Sequence, residues 1–218
     1  IVPATVFLPD PLTTAGVSYG APYSDNGDSD VPELLAEIDT VSITVDLTND
    51  TFRLMGPYVE ILDFSSPSIS PATSDSPSFY FTRSEEGFED VNCFYHLHTF
   101  QEYMQSLGFM NLVNFPIGVD PQALNGQDNS MFSGNQLLFG DGGVDDAEDA
   151  DVIIHEYGHA ITASAAPNTW DGFERKALDE GIGDYLATSY GRSINPFNWE
   201  DMFSWDGHNE FWLGRTVV

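Results

Sequence analysis

The stretch His155-Glu156-Tyr157-Gly158-His159 constrains this chain more than any other, because it lies in an apolar run, Val152-Ile153-Ile154 before and Ala160-Ile161 after, that reads as a helix. On a helix, residues four apart stand one turn above each other on one face, so both imidazoles can reach a single metal ion. Glu156, next to the first histidine, can point into the same cleft beside a metal's water. A second helical stretch carries Leu178-Asp179-Glu180-Gly181-Ile182-Gly183-Asp184-Tyr185-Leu186. Zinc in a hydrolytic site needs a third protein ligand and an open position, and Glu180 can supply the carboxylate oxygen. Asp184, one turn farther on, can accept the remaining ring N–H of a ligating histidine and hold its tautomer. Gly181 and Gly183 weaken the helix by propensity, which a tight helix–helix contact at the metal would explain. A fold that satisfies this pattern must press two helices together at three ligands.

Histidines four apart can also be ordinary partly buried residues, with the glutamate between them a surface charge. The chain has only five histidines, and the second helix completes a ligand set, which favours the metal. His96 and His98 do not form a second such pair: two residues apart on a helix, they point in different directions.

The chain changes character along its length. To about Arg83 it is rich in Thr, Ser, Pro and β-branched residues. Val41, Ile43, Val45 and Leu47 alternate with polar residues, and Asn49-Asp50 offers a turn before Phe52–Leu54, a hairpin signal. Tyr58 to Phe64 reads as another strand, and 65–78 as a loop. From Ser84, a candidate cap, the pattern is helical until Gly108. Short strands and turns return over 118–143, including Ser130-Met131-Phe132 and Gln136 to Phe139, then helices over about 147–166 and 175–190. The expectation is an α+β protein with a β-rich N-terminal region, 1–83, and a catalytic region, 84–218, carrying the active-site helices.

Thirty-five acidic residues against six basic ones give a net charge of −29. Long-range repulsion makes nucleic acid and anionic membranes poor partners. No run reaches the roughly 18 apolar residues of a membrane helix, and Ile1-Val2-Pro3-Ala4 shows neither a starting Met nor a signal-peptide pattern, so a processed, secreted, soluble protein is expected. Cys93 is the single cysteine, which leaves the redox compartment open. The acidity suits a solvated surface in salty or extracellular surroundings first, and beside it carboxylate clusters that bind calcium. Asp25-Asn26-Gly27-Asp28-Ser29-Asp30 is one oxygen-rich turn of that kind, and the run from Asp141 to Asp151 is another, though there the charge also suits a helix N-terminus.

His155-Glu156-x-x-His159, twenty intervening residues, then Glu180-x-x-x-Asp184 resembles the glutamate-zincins, the thermolysin and fungalysin families in particular. The metzincin pattern would need a glycine and a histidine where this chain has Thr162 and Ala165. Upstream, Asp128-Asn129-Ser130-Met131-Phe132 with Leu137 to Gly143 resembles the substrate-binding edge strand and Gly-Asp-Gly turn of thermolysin-like enzymes, and Phe7 to Thr14 and Val91 to His96 are similar to fungalysin-like proteins.

The resemblance implies a zincin fold and a zinc endopeptidase acting on peptide or protein substrates: His155, His159 and Glu180 as ligands, Glu156 as general base, Asp184 bonded to His155, and Asn129 and Ser130 bonded to substrate backbone. It also implies a calcium ion at Asp151, although Gly191 falls where another calcium carboxylate would be expected.

The family's oxyanion donor comes from a later helical subdomain, and no matching Asp-x-x-x-Val-His-x-Asn-Ser motif follows Glu180. The expectation is therefore that the C-terminal helical subdomain is lacking, that a separate C-terminal chain or segment is a partner, and that Trp205, Phe211 or Trp212 packs against it. His208 is the sole downstream histidine. A zinc aminopeptidase is the alternative enzyme, since Asp179-Glu180-Gly181 also resembles that group while its Gly-Ala-Met-Glu-Asn motif is absent. A non-catalytic, metal-stabilised extracellular binding module is the alternative outside enzymes.

Overall fold

The computed structural model describes residues 1–217. It is an α+β protein in which the N-terminal third is mostly short strands and the long helices follow. β1 (Val2–Val6) pairs antiparallel with β2 (Asp39–Ile43), and between them lie two short helices, α1 (Pro11–Ala15) and α2 (Pro32–Leu35). β3 (Asp46–Thr48) and β4 (Thr51–Arg53) form the expected hairpin. Asn49 and Asp50 both have positive φ, 53° and 63°, the backbone a tight two-residue hairpin turn demands. The alternating run 41–47 is not one strand, however. Its first half belongs to β2 and turns inward against β1, while its second half pairs with β4, whose other edge takes β6 (Thr73–Ser74).

A four-stranded sheet in the order β5-β7-β9-β8 supports the site. β5 (Val59–Ile61), β7 (Ile117–Ala123) and β9 (Gln136–Gly140) are parallel, and β8 (Ser130–Ser133) closes one edge antiparallel to β9. Gly134 and Asn135, both at positive φ, make the two-residue β8–β9 turn.

α3 (Gly87–Ser106) packs between this sheet, β1 and α4 (Ala150–Ala165), and it is buried nearly all round because Phe88, Val91, Phe94, Leu97 and Phe100 are spread over its circumference. It starts three residues later than Ser84, and that hydroxyl bonds Asp30 instead of capping the helix. His96 is fully buried, bridging the Tyr190 hydroxyl at 2.9 Å and the Phe7 carbonyl at 3.0 Å. One apolar cluster takes residues from both sides of Arg83, Val2, Ile43 and Val59 with Phe94, Leu97 and Ile154. α5 (Phe173–Ile194) lies across α4, and β10 (Asp201–Met202) pairs with β11 (Arg215–Thr216) beyond it.

Two expectations are corrected here. Trp205 awaits no cover: it is fully buried with Leu12, Leu34 and Val144, and its indole donates to Glu148 Oε2 at 2.9 Å. The segment carrying α1 and α2 folds back over it, a contact of high sequence separation that local patterning does not reveal. The acidic turn at Asp25–Asp30 closes on a cation from the protein itself. Arg83 reaches Asp25 Oδ1 at 2.9 Å, Asp28 Oδ1 at 3.3 Å and Glu148 Oε2 at 2.7 Å. Buried beside these carboxylates, its guanidinium stays charged.

Candidate metal centre

Asp149 caps α4: its Oδ1 accepts from the Asp151 amide at 2.8 Å, and its Oδ2 accepts from the Trp205 and Asp206 amides, each at 3.1 Å. The capped helix buries Val152, Ile153, Ile154 and Tyr157 in the core, and the Tyr157 hydroxyl donates to Gln101 of α3 at 3.0 Å. That burial leaves His155, Glu156 and His159 turned toward α5 and the cavity beside it.

α4 and α5 touch where side chains are absent. A Cβ on Gly158 would stand 2.7 Å from Gly183 Cα, and one on Gly183 would stand 2.8 Å from His155 Nδ1. Gly183 is therefore the glycine the close crossing requires. Gly181 is not: a Cβ there would meet nothing within 4 Å.

The crossing brings three candidate ligands to one point. His155 Nε2 lies 3.4 Å from Glu180 Oε2, and His159 Nε2 lies 3.8 Å from Glu180 Oε1. The two rings stand 4.9 Å apart at 89°. One ligand atom from each residue lies within 4.8 Å of the others, the spread around an ion with bonds of about 2.0–2.2 Å. Behind each ring is a carboxylate: Asp184 Oδ1 at 2.9 Å from His155 Nδ1, and Asp179 Oδ2 at 3.1 Å from His159 Nδ1. Neither contact lies along the line of a ring N–H, so distance is met without good alignment. A proton on each Nδ1 would leave both Nε2 lone pairs facing Glu180, and two imidazoles with one carboxylate are a donor set that fits zinc.

Asp179 is the residue that sequence reasoning missed. It also accepts from the Thr162 hydroxyl and pairs with Arg175 Nη1 at 3.2 Å. Burial alone would raise its carboxyl, but Thr162, His159 and Arg175 hold it below the usual range. A signal existed in the second histidine: if Asp184 serves His155, then His159 needs its own acceptor, and the acid beside Glu180 is the nearest in sequence. Burial likewise opposes ionisation of Asp184, and His155 and Arg215, whose Nη1 is 2.6 Å away, bring it below the usual range.

Glu156 is buried and lines, with His155, a cavity of about 270 Å³. Burial pushes its carboxyl above the usual range, against the pull of His159 and His155. Asn129 and Ser130, at the start of the edge strand β8, line the same cavity, although the Ser130 hydroxyl is engaged by Asp146.

Asp151 lies elsewhere. Its Oδ2 accepts from the Phe203 amide at 3.1 Å, and its Oδ1 is so near Gly191 that a Cβ there would stand 2.9 Å away. Among the described residues it joins none of the groups of three convergent ligand-bearing side chains; the two besides the His155 group are Glu89, Asp145, Glu148 and Asp128, Asp146, Asp206. His208 does not line the cavity, and its Nε2 contacts the carbonyls of Met202 at 3.0 Å and Arg215 at 3.2 Å.

No protein-family model matches the chain, and no curated protein matches it in sequence. Among solved structures, the precursor of protealysin, a metalloproteinase from Serratia proteamaculans, superposes with a TM-score of 0.48 and 17% identity, over 62% of this chain and 42% of that one. The chain thus spans less than half the length of that neighbour. The functional reading rests on the side chains described above.

Proposed function

We propose that the chain is a zinc-dependent endopeptidase, with His155, His159 and Glu180 as ligands and Glu156 as general base. The observation that carries this reading is the convergence of the two Nε2 atoms and the Glu180 carboxylate beside the cavity that Glu156 lines. A bound zinc ion supplies Lewis acidity that lowers the pKa of water toward about 7 and polarises a carbonyl. The chain's own groups do the rest. Asp184 and Asp179 stand beside the Nδ1 atoms of the two histidines, where they favour the tautomers whose Nε2 lone pairs face Glu180. The free edge of β8 pairs with an extended substrate backbone beginning at Asn129 and Ser130. Glu156 Oε accepts a proton from the attacking water and returns it to the nitrogen of the leaving amine. Burial of its carboxyl raises its affinity for a proton, which suits the base role.

Hydrolysis of an internally quenched peptide, abolished by a chelator and restored by zinc, tests the reading. Glu156→Gln should keep zinc and lose about 10²–10⁴-fold in kcat. Full activity of that variant removes the assigned role. Cleavage only next to a free amino terminus moves the function to an aminopeptidase, and zinc binding without cleavage moves it to a binding module.

A further inference from the structure

The cavity that Glu156 lines has a second wall, made of carboxylates. Asp128, Asp146 and Asp206 line it, and one oxygen of each lies within 4.8 Å of the others. Asp146 and Asp206 are 2% and 4% exposed. Neither they nor Asp128 forms an ion pair among the described residues; Arg215, which lines the same cavity, is drawn to Asp184 instead. Asp206 is half satisfied: Oδ2 accepts from the Trp212 indole at 2.9 Å, while Oδ1 is buried with no hydrogen-bond partner among the described residues. A buried carboxylate oxygen left bare is costly, and beside two further carboxylates it is costlier still. Burial pushes Asp146 up to about 8, the Ser130 hydroxyl opposing and Asp128 adding to the rise, and it raises Asp206 as well, with Asp146 and Asp149 adding.

The cluster is also built into the fold. The backbone of Gly142 and Gly143 packs on Asp128 so closely that a Cβ would stand 2.5 Å from its amide nitrogen and 3.0 Å from its Oδ2, respectively. Val152, Phe203 and Trp212 give the cavity apolar wall beside the carboxylates, and Asn129, Ser130, His155 and Arg215 line the rest.

Apolar wall from Val152, Phe203 and Trp212 beside three convergent acceptors suits one common side chain. Lysine has a methylene stem that packs on apolar walls and an ammonium with three N–H donors. Guanidinium presents a planar fork suited to one carboxylate in two-point contact, and calcium takes six to eight oxygens, so it would need bidentate carboxylates or water to complete its shell here, whereas an ammonium needs only three acceptors. We propose that Asp128, Asp146 and Asp206 form a specificity subsite for a lysine side chain next to the scissile bond, so that the enzyme selects lysine-containing peptides; this rests on the peptidase reading above.

Peptides identical except for lysine, norleucine or glutamate, scanned through the positions flanking the scissile bond, test the subsite with the zinc-loaded chain. At one flanking position kcat/KM should favour lysine over norleucine, which has a similar stem without the ammonium, by about 30-fold or more. Asp206→Asn and Asp146→Asn should each pull that ratio toward one. A measurement free of turnover accompanies it: titration with Nα-acetyl-lysine methylamide should shift the Trp212 indole N–H resonance saturably, and the norleucine amide should not. Cleavage of the norleucine peptide with no lysine preference at any position overturns the subsite and leaves the peptidase standing. Saturable lysine-amide binding with no cleavage of any peptide upholds the cationic pocket and sinks the peptidase. Absence of both overturns both. A Trp212 shift driven by calcium ions but not by the lysine amide overturns the subsite in favour of a metal site.

Discussion

Helices α4 and α5 contribute to the same centre, yet they are held in place by different forces. α4 buries twelve of its sixteen residues and α5 four of its twenty-two. α4 is set by the core: Ile153, Ile154 and Tyr157 are fully buried, and its histidines are placed wherever that packing leaves them. α5 offers Phe173, Leu178 and Tyr185 to solvent at 87%, 60% and 69% exposure. What seats it on α4 is the glycine crossing at Gly158 and Gly183, the buried Tyr190 and the polar contacts of Asp179 and Asp184 with the histidines. A candidate ligand on such a helix is positioned largely by the contacts at the site itself.

The largest expected effect tests that contrast directly. Ile154→Ala should destabilise the protein by about 2–5 kcal/mol in chemical denaturation, whereas Leu178→Ala on the open face of α5 should change it by less than about 0.5 kcal/mol. Equal losses would erase the distinction.

Next comes pH, through the residue that ties α3 to α5. Burial lowers His96 from its usual value to about 4, with the Phe7 carbonyl opposing. The unfolded chain therefore binds this proton more readily. Its contribution is complete above about pH 6.5 and is lost as pH falls toward 4, by about 3 kcal/mol in all. The buried acids act oppositely across part of this range, Asp10 being pushed up to about 7 by burial and by Asp149. The test is thus a difference: the stability–pH curve of the wild type minus that of His96→Gln should slope upward between pH 4 and 6.5, and a flat difference would remove His96 as the cause.

On the zinc reading, Asp184→Asn and Asp179→Asn should each weaken zinc affinity by about 10–100-fold in competition with a chelator. If only Asp184 matters, then His159 is oriented by packing alone.

The smallest effects separate two glycines of α5. Gly183→Ala drives a methyl into His155 and should cost about 1 kcal/mol or more, while Gly181→Ala meets open space and should stabilise by up to about 1 kcal/mol through helix propensity. Matching signs would mean the crossing is looser than its distances.

Much of this was legible because it is local. The i, i+4 spacing of His155 and His159 places both on one helical face whatever surrounds the helix, and Asn49-Asp50 makes a hairpin turn through its own backbone preferences. The helices over 150–165 and 173–194 announce themselves by period and length. The alternating run 41–47 misled because alternation shows which residues face inward without naming the partner strand, and two partners share this one.

The amino-acid sequence by itself determined the elements and the chemistry on offer: an H-E-x-x-H helix, a second helix carrying Asp179, Glu180 and Asp184, and a large acidic excess. Tertiary structure decided which of those acids meet. It set Asp179 behind His159, closed Arg83 on the turn at Asp25, buried Trp205 under the N-terminal segment, and carried Asp206 to the wall holding Asp128 and Asp146. The reason is one of range. Helix faces and turns follow from torsion preferences within a few residues, whereas the meeting of side chains 20, 58 or 78 positions apart depends on how the whole core packs, which no local pattern encodes.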